Sequence, residues 1–152
     1  MTSPSITADA YLKTRVLTAR PEQLRLMLLD GAIKFARQGQ AGMRAKNFEA
    51  SYEGVSQSRA IVMELIVTID AEPDPLLAER VKSVLSFIYS GMVEASMNRD
   101  ADKMEEPIRL LEFERETWAM FIDRLAAESK DAPDSMAESK PDAFERSISF
   151  EA

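Results

Sequence analysis

Four long stretches of this chain repeat apolar residues every three to four positions, and only short polar links separate them. That spacing matches the turn of an α-helix, so each stretch has to bury a face against another helix. The first predicted helix spans 21–46. Pro21 suits a first helical position, where its missing N–H is not needed; Leu24, Met27, Leu28, Gly31, Ala32 and Phe35 then share one face. The second, 47–70, opens on Asn47 as N-cap and aligns Phe48, Tyr52, Val55, Val62, Met63, Ile66 and Ile69. Ala71 to Pro75 reads as a stop and restart, with Asp74 capping and Pro75 opening the third helix, 75–97. Its stripe is Leu77, Val81, Val84, Leu85, Ile88, Met92 and Ala95. After the turn Asn98-Arg99-Asp100, the fourth helix covers 100–127 with Ile108, Leu111, Trp118, Ile122 and Leu125 in register.

Pro107 predicts either a kink, or a short capping turn over 100–105 with the main helix starting near the proline. Three short links favour antiparallel neighbours. The expected fold is therefore all-α, an antiparallel up-down four-helix bundle within one domain over 1–127. A short N-terminal helical cap segment, Ile6 to Thr18, is expected to pack on it. Residues 128–152 are polar, proline-punctuated and acidic, and read as a disordered tail.

Composition narrows the function. There is no cysteine and no histidine among the 152 residues. Disulfides, thiolate zinc sites, histidine-dependent triads and Glu-x-x-His di-metal bundles are thereby excluded. No phosphate-binding glycine loop occurs. Glu105, Glu106, Glu112, Glu114 and Glu116 read as a solvated face, so neither an enzyme nor any cofactor or metal is expected. Net charge is −7, a poor match for a phosphate backbone, so nucleic acid is not an expected partner. The tail carries seven acidic and three basic residues, leaving the body at −3. The opening MTSPSITADAYLKTR has no apolar secretory core, and no run approaches the roughly 18 apolar residues of a membrane span. A cytosolic protein without membrane insertion is expected.

The helices carry more apolar surface than one bundle face requires. A second row on the first helix holds Leu26, Leu29, Ile33 and Ala36, and the second helix adds Ile61 and Leu65. The third has Leu76 and Phe87 on one flank with Tyr89 and Val93 on the other. On the fourth, Leu110, Phe113, Met120 and Phe121 fall away from the Trp118 stripe. Such rows are either core against a neighbouring segment, a homodimer interface, or grooves that a partner helix fills. Nine methionines suit an adaptable binding surface.

The run Ala10-Tyr11-Leu12, then Val16-Leu17-Thr18-Ala19-Arg20-Pro21-Glu22-Gln23-Leu24, then Leu26-Met27-Leu28-Leu29-Asp30-Gly31-Ala32-Ile33-Lys34-Phe35, resembles the opening of the FliS family of flagellar export chaperones. Arg59-Ala60, Ile61-Val62, Glu64-Leu65 and Ile69-Asp70 resemble its second helix. Val93-Glu94-Ala95 and Arg115-Glu116-Thr117-Trp118 follow in the right order, and the resemblance spans about residues 10–123. Arg20 departs from it, standing where a capping serine is usual, so that the first helix lacks a side-chain cap or borrows one from Thr18. Leu29 stands where an aromatic is common.

The resemblance implies a cytoplasmic chaperone that wraps the C-terminal segment of flagellin, prevents premature polymerisation and docks at the export gate component FlhA. The chain would then be a monomer or weak dimer that becomes 1:1 with its client. The expected groove-lining residues are Leu26, Leu29, Ile33, Ile61 and Leu65, with Phe113 and Phe121 behind them. Tyr11 would cover a groove until the client displaces it. Phe144, Ile148 and Phe150 are apolar islands in the tail, spaced to fold back as an internal competitor. The alternatives are a self-associating structural bundle and an adaptor for another secretion cargo.

Overall fold

Every element of the computed structural model is helical, and no strand occurs among the described residues. The described backbone is that of residues 4–72 and 74–151; the described side chains are those of 10, 12–72 and 74–130. The helices are α1 Pro4–Thr18, α2 Pro21–Arg44, α3 Phe48–Val67, α4 Pro75–Asn98 and α5 Ala101–Glu151. The chain divides into two units, Met1–Thr117 and Trp118–Ala152. The expectations for Tyr11 and for the apolar islands of the tail concern side chains outside the described residues. Of the tail segment 128–152, expected to be disordered, the side chains from 131 onward also lie outside the described residues, while its backbone through Glu151 continues α5.

Local chemistry sets each boundary. Asn47 accepts a hydrogen bond from the Ala50 amide at 3.2 Å, and Asp74 from Leu77 at 3.1 Å. Both satisfy amides that a helix start leaves without partners. Asp100 Oδ1 does the same at the head of α5, accepting from the Asp102 and Lys103 amides. Arg20 offers α2 no side-chain cap. Thr18 does not replace it, because its hydroxyl donates to the Thr14 carbonyl at 2.8 Å. Lys46 and Arg99 take left-handed backbone, with φ of 55° and 50°, and end α2 and α4.

The helix of α5 passes through Pro107 with no separate capping turn. Proline lies in the second turn, where a lost backbone bond disturbs little of the remaining helix. Its ring is buried against Gly91 of α4, where a Cβ would stand 2.9 Å from Pro107 Cγ. Helix α1 forms over the expected cap segment, yet Leu12, Val16 and Leu17 are exposed, so the expected packing of these three residues does not occur.

The core of the first unit takes Leu29, Ala32, Ala36 and Met43 from α2, and Val55, Val62 and Leu65 from α3. From α4 it takes Leu85, Ile88, Met92 and Ala95, and from α5 Met104, Ile108 and Leu111. The expected stripe of α2 is thus rotated: Leu24, Met27, Leu28 and Phe35 are only half-buried. Small residues turn inward instead, because α2 and α3 nearly touch backbone to backbone. A Cβ at Gly54 would lie 2.4 Å from the Gly39 nitrogen, and one at Gly42 2.6 Å from the Ser51 nitrogen. Ser58 donates to the Ala32 carbonyl at 2.7 Å and lies 3.5 Å from Met92 Sδ, so one buried hydroxyl of α3 touches both α2 and α4.

Along the side of α2 that meets α5, charges are matched. Arg115 reaches Asp30 at 2.8 Å, and Arg37 bonds both Glu105 and Glu112. Gln40, buried, donates to the Ala101 carbonyl at 3.0 Å and to Glu105 at 2.8 Å. That bond, with the charge of Arg37, holds the Glu105 carboxyl below the usual carboxylate range. Farther along, Arg25 and Glu114 are half-buried. Burial lowers the first and raises the second, and their mutual attraction opposes both shifts.

Candidate protein-binding surface

The structure sorts the expected groove residues into three groups. Leu29 and Leu65, at 3% and 0% exposure, are core side chains and line no surface. Leu65 lies where Arg25 reaches its carbonyl at 3.4 Å. Leu26, Ile33 and Ile61 are half-buried, the last beside Gly31 across the α2–α3 contact. Phe113 is 68% exposed on α5, and Phe121, in the second unit, is exposed and stacks near Trp118 at 4.9 Å between ring centroids. A row read from one helix cannot reveal which flank its neighbours cover. That is why two of the residues prove to be core.

The exposed apolar side chains of the first unit concentrate on α3 and α4. On α3, Phe48, Tyr52, Arg59 and Met63 follow at helical intervals on one face. Phe48, Tyr52 and Met63 are exposed, Tyr52 at 69%. On α4, Tyr89, Val93 and Met97 stack at four-residue intervals. The first two are half-buried, and Met97 is 79% exposed. With Ser90, Glu94 and Asn98 they line a shallow cavity of about 390 Å³. Glu94 is drawn off by Lys103 at 3.4 Å.

Two arginines join these rows. The Arg59 guanidinium of α3 lies over the Tyr89 ring of α4, 5.5 Å from its centroid. Arg99, at the end of α4, lies over the Phe48 ring of α3 at 4.1 Å. Cation–π contacts therefore join this helix pair at one end, Phe48 with Arg99, and near its middle, Arg59 with Tyr89, and leave an apolar, Met-containing strip between them. A second recess, of about 290 Å³, lies between α4 and α5 over Phe87, Gly91 and Pro107, rimmed by Glu94, Asp102, Lys103 and Glu106. Periodicity marks Tyr89 and Val93 as a flank of the third helix. It gives no sign of Arg59, Arg99 or Met97, because charge–ring pairing depends on how two helices meet.

This arrangement can hold an amphipathic segment by burial of apolar surface. No helix among the described residues is long and apolar enough to cross a membrane. The family model described as "Flagellar protein FliS" matches residues 4–140. The chain is 26% identical over 113 residues to the flagellar secretion chaperone FliS of Bacillus subtilis (strain 168), covering 74% of this chain and 84% of that protein. It is 25% identical over 114 residues to the Campylobacter jejuni protein of the same name, with 72% and 86% covered. To that of Escherichia coli (strain K12) it is 26% identical over 114 residues, with 73% and 82% covered.

Proposed function

The chain belongs to the FliS family, and from that premise we propose that it is a cytosolic, non-enzymatic export chaperone that binds the C-terminal segment of flagellin. Binding masks the surface through which flagellin polymerises, and the complex is delivered to the export gate component FlhA. The observation that carries this reading is the exposed apolar strip along α3 and α4, of a kind that monomeric surfaces seldom leave uncovered. Phe113 extends the binding surface on α5, with Leu26, Ile33 and Ile61 reached where the client presses between helices. Tyr11 and, in the second unit, Phe121 are further residues proposed to touch the client.

The framework in this proposal is an antiparallel up-down four-helix bundle of α2 to α5. The order of the contacts supports it. Along α2, Asp30, Arg37 and Arg44 meet Arg115, Glu105 and Asp102 in descending order. Gly31 and Gly39 likewise meet Ile61 and Val55. Phe48 and Arg59 meet Arg99 and Tyr89, and Gly91 and Glu94 meet Pro107 and Lys103.

Ordering a disordered client costs about 2–5 kcal/mol. At about 25 cal/mol per Å² of apolar surface, roughly 200 Å² offsets the upper figure. A strip of several exposed aromatic and methionine side chains meets that requirement, and no cofactor is needed because no bond is made or broken. Light scattering coupled to size-exclusion chromatography tests the proposal, on the protein alone and mixed with flagellin of the same organism. A monomer or weak dimer that converts to a stable 1:1 complex is expected. A tight dimer that ignores flagellin would assign the apolar excess to self-association.

A further inference from the structure

Among the described residues, the cations that bridge α2 to α5 meet carboxylates, whereas those that bridge α3 to α4 meet rings. Arg59 has no ion pair or hydrogen bond among the described residues, and its Nε is buried without a partner. Among the described residues Arg99 makes no side-chain hydrogen bond or ion pair either; its guanidinium rests on Phe48. This happens in a chain with 26 acidic residues against 19 basic ones, so a lack of carboxylates is not the cause. A ring covers one face of a guanidinium, while the N–H donors point outward in its plane; in Arg59 the Nε is buried, so the terminal nitrogens are the donors open to a partner. Stacking also fixes the side chain, so less rotamer freedom is lost when an acceptor arrives.

We propose that Arg59 and Arg99 are carboxylate receptors at the two ends of the apolar strip, and that the α3–α4 face takes an amphipathic helix of the client carrying acidic residues at both ends of its apolar row. This rests on the chaperone reading above and names the chemistry of the segment bound. Phe48 and Arg59 mark the two ends and stand eleven positions apart on α3, about 16 Å at 1.5 Å per residue. A client helix lying along the seam therefore presents its two carboxylates about three turns apart. Between them its apolar side chains cover Tyr52, Tyr89, Val93 and Met97, and Met63 lies one turn beyond Arg59 on the same face of α3. The arginines fix register, and the apolar strip supplies most of the affinity. Glu94, the carboxylate that lines this cavity, is engaged by Lys103 and does not compete for either arginine.

The test is calorimetric titration of the full-length protein with the C-terminal segment of flagellin of the same organism, over a salt series, alongside Arg59→Glu, Arg99→Glu and the double variant. Each single reversal is expected to weaken binding about tenfold or more, and the double variant further. The affinity of the unaltered protein falls with salt, and that dependence flattens in an Arg59→Gln, Arg99→Gln double variant. In a scan of the client's acidic residues to lysine, one change restores binding to Arg59→Glu. Unchanged affinity in the double reversal, with circular dichroism showing an intact fold, overturns the proposal. Where a reversal fails to fold, Arg59→Lys, Arg59→Gln and the salt series of the unaltered protein decide by the same criteria. If the unaltered protein binds no flagellin at all, the chaperone reading itself fails.

Discussion

The α2–α5 seam and the α3–α4 seam are both crossed by arginines, and they use them in opposite ways. Across the first, Arg37 and Arg115 close on Glu105, Glu112 and Asp30, with Gln40 buried among the same groups. Among the described residues its arginines are paired with carboxylates of the same chain. Across the second, Arg59 and Arg99 sit on aromatic rings beside exposed tyrosine, phenylalanine and methionine. A seam with its charges matched maintains the fold, whereas one with donors and apolar surface to spare is the one that the proposed function assigns to the client. The near-contact of Gly39 with Gly54 puts α2–α3 with the first kind.

The largest effect should come from the structural side of this contrast. Gly54→Ala places a Cβ against the Gly39 backbone and is expected to destabilise by about 3 kcal/mol, read by thermal denaturation. Gly31→Ala is its control. That Cβ meets only Ile61 Cδ1 at an ordinary 3.4 Å, and the change should stay within about 0.5 kcal/mol. Equal tolerance of both would mean that close helix approach is not what holds α2 to α3.

On the other seam the pattern should invert. Tyr52→Asp and Met97→Asp are each expected to weaken client binding by about 1.4 kcal/mol or more, a factor of about ten. Stability should stay within about 0.5 kcal/mol, since both side chains are exposed. Titration calorimetry together with melting curves separates the two readouts. A loss of stability in place of affinity would move these residues to the structural side.

Arg37→Ala is a smaller probe of the matched seam. Its side chain is 42% exposed, so its removal should cost no more than about 1 kcal/mol, less at high salt. A cost unaffected by salt would mean that packing of the arginine stem, not charge matching, is what it supplies.

The smallest effect concerns pH. Burial raises the Glu114 carboxyl, so the folded state favours its neutral form. Stability from this group is present below the ordinary carboxylate range and is lost as pH rises through the raised value. Glu105 is lowered and has the opposite sign: its contribution is present above that range and is lost as pH falls. Glu114→Gln should therefore stabilise modestly at neutral pH and lose this advantage on acidification. Denaturant midpoints measured from pH 7 down to about pH 4 check it, and an advantage that grows on acidification would reverse the sign.

Much of the fold is legible in the sequence. Asn47, Asp74 and Pro75 mark helix starts through chemistry confined to a few neighbouring residues, and the periodic stripes of α4 and α5 find Leu85, Ile88, Met92, Ile108 and Leu111. What periodicity leaves open is rotation. Leu29 and Leu65 look like a spare row until Gly39, Gly42 and Gly54 are seen to let α2 and α3 close together, which turns Leu29 and Leu65 into core. The binding surface is legible only in part for the same reason. An apolar surplus shows in one dimension, but the stacking of Arg59 on Tyr89 needs two helices at a known register.

Whether the client lies on the α3–α4 face can be measured by methionine footprinting, with the protein's own side chains. Met63 and Met97 are exposed on that face, while Met92 and Met104 are buried and report whether the fold stays intact. Brief peroxide treatment of the free chain, followed by mass spectrometry, should oxidise the first pair and spare the second. In complex with the flagellin C-terminal segment, Met63 and Met97 should become protected. Equal oxidation of these two methionines with and without bound client would contradict the account.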